Sequence, residues 1–404
     1  MQDLPEADRT KLRRLAMQDF TFFLPTRVVF GCGKVRQVGQ ECRMLGGKKA
    51  FVITGTTATA TSPGFAAALE SMREADLPFE VYDRIEHDPT LEAIETARQT
   101  ALKSGADLIV AYGGGSPMDA GKAVAVFATN KGAVEDYLYV KKVFKLPGLP
   151  FLAIPTTAGS GSEVTAAMVI RDDERKQKTG LSHPLAFAKT AVIDPETHVS
   201  MPPTVTAATG MDALTHAIEA YTSKSHQPFS DAFCLQAIRL IGENLRRATG
   251  NGTDLAARSG MAAASTLAGV GFTFAGLGSV HGLAHAIGAR FDVPHGVANA
   301  LMLPYVMEAS IIADMPRFRD IAAALGENIS GLSLRDAAFA AVDAVNILKA
   351  DLDIPRCLTD VGVRDRALKD ITEDALAYRL RPLAPRDFCR ADFQRILNRA
   401  MGKP

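Results

Sequence analysis

Four short runs in the first half of this chain are apolar almost from end to end, and they constrain its fold more than anything else. They are residues 49–54 (KAFVIT), 107–112 (DLIVAY), 151–155 (FLAIP) and 191–194 (AVID). A strand without polar alternation has both faces buried, which calls for a parallel sheet covered by helices on each side. The segments between them carry helical periodicity, at 64–75 (GFAAALESMREA) and 90–104, the latter with Thr90 as its expected cap. Two further strands are expected at 26–30 and 79–83. Strand and helix in alternation is the α/β signature.

The pattern changes after Asp194-Pro195. From residue 203 onward only helical periods occur, at 231–244, 255–268, 298–312, 315–325 and 334–352, and Met201-Pro202-Pro203 marks the change. The expected organisation is an α/β part over 17–198 and an all-helical part over 199–404. Residues 1–16 are charged, lack the apolar core of a signal peptide, and read as an extension that frays. A chain of 404 residues is long enough for two domains. With 45 basic and 45 acidic side chains it has no charge bias towards nucleic acid or an anionic membrane. No apolar run approaches the roughly 18–20 residues of a membrane span. The five cysteines are scattered and include no C-x-x-C, so they read as free thiols of a reducing, cytoplasmic compartment.

The histidines carry the chemistry. Asp212 and His216 stand four apart in GMDALTHAIEAY, and His281 and His285 repeat that spacing in GLGSVHGLAHAIGARFDVPHGVANA. Residues four apart share a helix face. His295 follows Pro294, just past an expected helix end. A single imidazole among apolar residues is more often a hydrogen-bonded core group than a ligand. Several beside one Asp are most simply satisfied by a divalent cation.

A second motif is Gly113-Gly114-Gly115-Ser116-Pro117-Met118-Asp119 after the 107–112 strand. Glycines allow close backbone approach, Ser116 suits a helix cap and Pro117 a first helical position. Such a turn can bind a phosphate at the helix start, or simply be a tight turn. It is not the G-x-G-x-x-G fingerprint. A third, IPTTAGSGSEVT at 154–165, ends a strand in small hydroxyl and glycine residues.

Together, GGGSPMDAGK, IPTTAGSGSEVT and the two histidine motifs closely resemble the iron-containing (group III) alcohol dehydrogenases, from about residue 20 to about 397. The resemblance implies the dehydroquinate-synthase-like fold: an N-terminal dinucleotide-binding part, a helical metal part and a cleft between them. It implies Asp212, His216, His281 and His295 as metal ligands, and His285 as a non-ligand proton relay near the substrate. Gly114, Gly115 and Ser116 would hold the pyrophosphate, with Asp119 nearby. Thr156, Thr157 and Ser160 would meet ribose and nicotinamide, and Lys178 the cofactor. Phe272 would line the substrate pocket. Ala167 stands where a lactaldehyde-reducing relative has a polar amide, and Arg379 or Arg381 could admit an anionic tail. Fe2+ is implied by the family name; Zn2+ suits the same donors.

The activity so implied is NAD(P)-linked hydride transfer between nicotinamide and a small primary alcohol or aldehyde, in a homodimer. The alternatives are a glycerol dehydrogenase or maleylacetate reductase of the same fold, or a non-catalytic nucleotide-binding protein. Family members often end the strand equivalent to 49–54 in an Asp, which selects NAD by repelling a 2′-phosphate. Here Gly55, Thr56 and Thr57 stand there instead. The expectation is that NADP(H) is preferred and NAD(H) tolerated.

Overall fold

The computed structural model describes residues 19–56, 59–175 and 177–402. The expected extension at 1–16 and Thr57 lie outside them. Six strands form one parallel sheet: β1 (Arg27–Phe30), β2 (Ala50–Gly55), β3 (Phe79–Ile85), β4 (Leu108–Gly113), β5 (Phe151–Pro155) and β8 (Thr190–Ile193). The order is β1-β8-β5-β4-β2-β3, so β1 and β3 are the edges. Every residue of β2, β4, β5 and β8 is buried, whereas β1 has no buried residue and β3 is mixed. The four apolar runs are the four interior strands for that reason.

The intervening helices are α1 (Val38–Met44), α2 (Pro63–Glu74), α3 (Leu91–Ser104), α4 (Gly115–Thr129) and the short α5 (Val134–Leu138). Thr90 caps α3 as expected, its hydroxyl accepting from Ala93 N at 3.0 Å. Two separate hydrophobic clusters cover the sheet, one built around Phe51, Ile53 and Phe127, the other around Val52, Val110 and Tyr112. Alternate residues of β2 thus belong to opposite faces.

The antiparallel hairpin of β6 (Ala167–Asp172) and β7 (Gln177–Ser182) was not expected. In β6 every second residue is only half-buried, and β7 contains Lys178 and Gly180, so neither segment has the continuous apolar run of the sheet strands.

After β8 the described chain is helical: α6 (Pro203–Tyr221), α7 (Pro228–Gly250), α8 (Leu255–Ala275), α9 (Ser279–Phe291), α10 (His295–Ser310), α11 (Met315–Ala324), α12 (Leu334–Asp351), α13 (Leu368–Ala377) and α14 (Arg390–Ala400). One hydrophobic core joins them. The stretch His295–Ala313 has the length and hydropathy of a membrane span, but 61% of that window is buried inside the protein. It packs into this core.

Candidate metal centre

Helix α6 is buried along nearly its whole second half, and it presents Asp212 and His216 one turn apart. His281 lies in the first turn of α9. His295 is the first residue of α10, with Pro294 before it in extended conformation. α9 ends at Phe291, where Asp292 takes a left-handed φ of +54°, and Pro294 leads into the next helix, so the turn delivers His295 back towards α6. One donor atom from each of Asp212, His216, His281 and His295 lies within 4.8 Å of all the others. Asp212 Oδ1 is 3.8 Å from His216 Nε2 and 3.6 Å from His295 Nε2. The His216 and His281 rings stack at 4.8 Å.

Asn299, one turn after His295, tests whether this cluster suits a cation. Its amide nitrogen lies 2.7 Å from Asp212 Oδ1, 3.2 Å from His281 Nε2 and 3.1 Å from His295 Nε2. An amide has two hydrogens and here faces three acceptors. Its own oxygen is buried without a partner. Protein donors therefore do not satisfy this pocket, and four converging imidazole and carboxylate groups are the donor set of a divalent first-row ion.

The electrostatics agree. Burial, then the neighbouring histidines, holds His281 well below the ordinary imidazole range. Burial also lowers His295. Burial alone would raise Asp212, but His216, His295, His281 and the Asn299 bond outweigh it and keep it low. Neutral imidazoles beside an ionised carboxylate are the ligand forms.

His285 stands one turn beyond His281, with ring centroids 6.0 Å from His281 and 5.2 Å from His295. Tyr378 meets it edge-on at 5.3 Å. Phe272 packs 4.6 Å from His216. These aromatic rings therefore adjoin the four-donor cluster. Arg381 gives its guanidinium to the carbonyls of Leu376 and Phe388, whereas Arg379 is exposed.

The glycine loop and the 154–165 loop face each other. Thr156 N donates to Gly113 O at 2.9 Å. A Cβ on Gly114 would lie 3.3 Å from Thr157, and one on Gly115 3.5 Å from Ser160. The expected capping is corrected. The helix starts earlier, at Gly115, with Gly114 as its N-cap and no side-chain cap, because Gly113 takes φ +153° and turns the chain sooner. Ser116 Oγ instead accepts from Asp88 N at 3.1 Å. Asp119 accepts from Ser162 Oγ and Val169 N, each at 2.9 Å, so both its oxygens serve the scaffold. The buried Lys122 joins Ser162, Thr165 and the Ala167 carbonyl, locking loop and hairpin together. Lys178 pairs with Asp88 and is an electrostatic neighbour of His285 and His295. It is not a solvated surface charge. Gly55 ends β2 beside Pro117, with Thr56 exposed after it.

Sequence reasoning missed Asn299, Glu219, Asp88, Lys122 and Tyr378. Two had a signal. Asn299 is four residues after His295, and Glu219 three after His216, each on the face of a ligand-bearing helix.

Residues 25–195 match the family model of iron-containing alcohol dehydrogenases, and 206–401 match that of their C-terminal part. The chain belongs to the iron-containing alcohol dehydrogenase family. It is 41% identical over 358 residues to the 1,3-propanediol dehydrogenase of Klebsiella pneumoniae, covering 88% of this chain and 92% of that one. It is 37% identical to the NAD-dependent methanol dehydrogenase of Bacillus methanolicus, covering 94% and 99%. A solved 1,3-propanediol oxidoreductase superposes with TM-score 0.92 at 38% identity, covering 95% of this chain and all of that one. This family member is accordingly a metal-dependent oxidoreductase acting on CH–OH groups, with the six-stranded parallel sheet and helical C-terminal part of its relatives.

Proposed function

We propose that the chain reduces small aldehydes and oxidises the corresponding primary alcohols with NADP(H), using one divalent ion held by Asp212, His216, His281 and His295. The observation that carries this reading is the four-donor cluster around Asn299, whose amide nitrogen faces three acceptors and whose oxygen has no partner. In this reading the α/β part, 17–198, seats the dinucleotide and the helical part, 199–404, the metal. Fe2+ is the ion proposed, on the family's name, with Zn2+ able to take the same donors.

When bound, the ion would polarise the alcohol oxygen and the nicotinamide would accept the hydride. The chain's own residues do the rest. Gly114, Gly115 and Ser116 offer a close backbone and a helix start for the pyrophosphate. Thr156, Thr157 and Ser160 face that loop, and Lys178 stands between it and the histidines. His285 is beside the ligands without being one, and takes the hydroxyl proton. Phe272 and Tyr378 exclude water and select compact substrates.

The preference for NADP(H) rests on Gly55 at the end of β2, where no carboxylate repels a 2′-phosphate. The homodimer reading is supported by Val28 and Phe30, both about two-fifths exposed on the edge strand β1. The five unpaired cysteines support a reducing, cytoplasmic setting. The experiment is alcohol-dependent reduction of NADP+ by metal-free protein with and without added Fe2+ or Zn2+. Turnover that needs both metal and alcohol supports the reading, and turnover untouched by chelation removes it.

A further inference from the structure

Glu219 is the last acidic residue on the ligand face of α6, three residues after His216 and seven after Asp212. It is buried, yet both its oxygens are used. Oε2 lies 2.6 Å from His281 Nδ1, and Oε1 accepts from Val280 N at 2.7 Å. The backbone N–H groups of Gly278 and His281 also reach this carboxylate. These are the first N–H groups of α9, whose N-cap, Gly278, has no side chain to satisfy them. Gly278 lies close against this carboxylate, since a Cβ there would be 2.9 Å from Glu219 Oε1. A carboxylate at a helix N-terminus is electrostatically favoured.

We infer that Glu219 is a positioning residue of the metal centre, fixing the tautomer and aim of His281 while docking the start of α9 onto α6. This rests on the metal reading of the four-donor cluster. With Glu219 ionised, its carboxylate only accepts, and His281 Nδ1 carries the hydrogen. The lone pair is then on Nε2, the atom that faces Asn299 and the other donors. One helix thus supplies two ligands and the group that orients a third. Such outer partners raise the basicity of a ligating imidazole and hold its ring in place.

Glu219→Gln separates orientation from docking. The amide oxygen can still accept from Val280 N, but its NH2 group then faces His281 Nδ1. His281 must accept there and carry its hydrogen on Nε2, which removes the lone pair from the metal side. The readout is Zn2+ affinity of metal-free protein, by competition with a chromophoric chelator, beside the melting temperature without metal. The expected result is a loss of about 10–100-fold in affinity with the fold retained, and a smaller loss in Glu219→Asp, which keeps an acceptor. A melting temperature that falls while Zn2+ affinity stays within twofold of wild type would overturn the inference and leave Glu219 as a helix anchor. If wild type itself takes up no Zn2+, the metal reading falls and this inference with it. Should Glu219→Gln not fold, 15N NMR of histidine-labelled wild type decides. The Nδ1–H tautomer at His281 is expected, and the Nε2–H tautomer would overturn it.

Discussion

The side-chain amide of Asn299 donates to Asp212 Oδ1 over 2.7 Å, joining α10 to α6 across the candidate metal centre. Without metal this bond is the direct protein partner of a buried carboxylate beside His281 and His295, both held by burial below the ordinary imidazole range. Asn299→Ala should therefore cost about 1–3 kcal/mol of stability in metal-free protein. The loss should be clearly smaller once Zn2+ is bound and compensates Asp212. Calorimetry of both forms checks this, and equal losses in the two would count against a cation at this position.

His285 separates proton handling from metal binding. Its ring adjoins those of His281 and His295 but belongs outside the four-donor cluster. His285→Ala should keep full metal content and lower kcat by about 10²–10⁴-fold, the usual range for a lost proton-transfer group. Loss of metal in that variant, or wild-type turnover, would show its role to be something else.

Much of this site was legible because its signals are local. The i, i+4 spacings of Asp212 with His216 and the Pro294-His295 turn are written in contiguous residues, and helices convert such spacing into geometry directly. The interior strands were legible because burial on both faces leaves a run without alternation. The hairpin β6–β7 was not. Its strands form a separate two-stranded sheet, and Lys178 takes its meaning from Asp88, ninety residues away in the chain. Ser116 illustrates the same limit. Local preference made it a cap, but the backbone of Asp88, from another loop, claims its hydroxyl. Glu219 reads as one more helix carboxylate until α9 is seen to start against it.

Cofactor choice turns on one residue. A Cβ on Gly55 would find nothing nearer than 3.6 Å, so the strand end accepts a Cβ at ordinary contact distance. Gly55→Asp should shift the ratio of kcat/KM for NAD+ over NADP+ at least about tenfold towards NAD+, through repulsion of the 2′-phosphate. A wild-type enzyme already about tenfold better with NAD+ would refute the proposed preference.

His198 should make the metal-free protein acid-sensitive. Its Nε2 lies 3.1 Å from the Pro155 carbonyl, its Nδ1 is buried without a partner, and burial pushes its pKa down to about 4. A base depressed in the folded state binds its proton more readily when unfolded. Its stability contribution is thus whole above the ordinary histidine value of 6.5 and is lost as pH falls towards about 4. The loss amounts to about 3 kcal/mol at most. Denaturant titrations between pH 7 and pH 4 should show a shallower decline in His198→Gln than in wild type, and parallel curves would assign the acid sensitivity elsewhere.

Whether one ion is held by these four side chains is measured most directly by elemental analysis of His281→Ala beside wild type. Wild type should carry about one divalent ion per chain after loading. The variant should carry almost none, keep its far-ultraviolet dichroism and lose alcohol oxidation. A folded His281→Ala protein with full metal content would contradict the assignment of Asp212, His216, His281 and His295 as the metal centre.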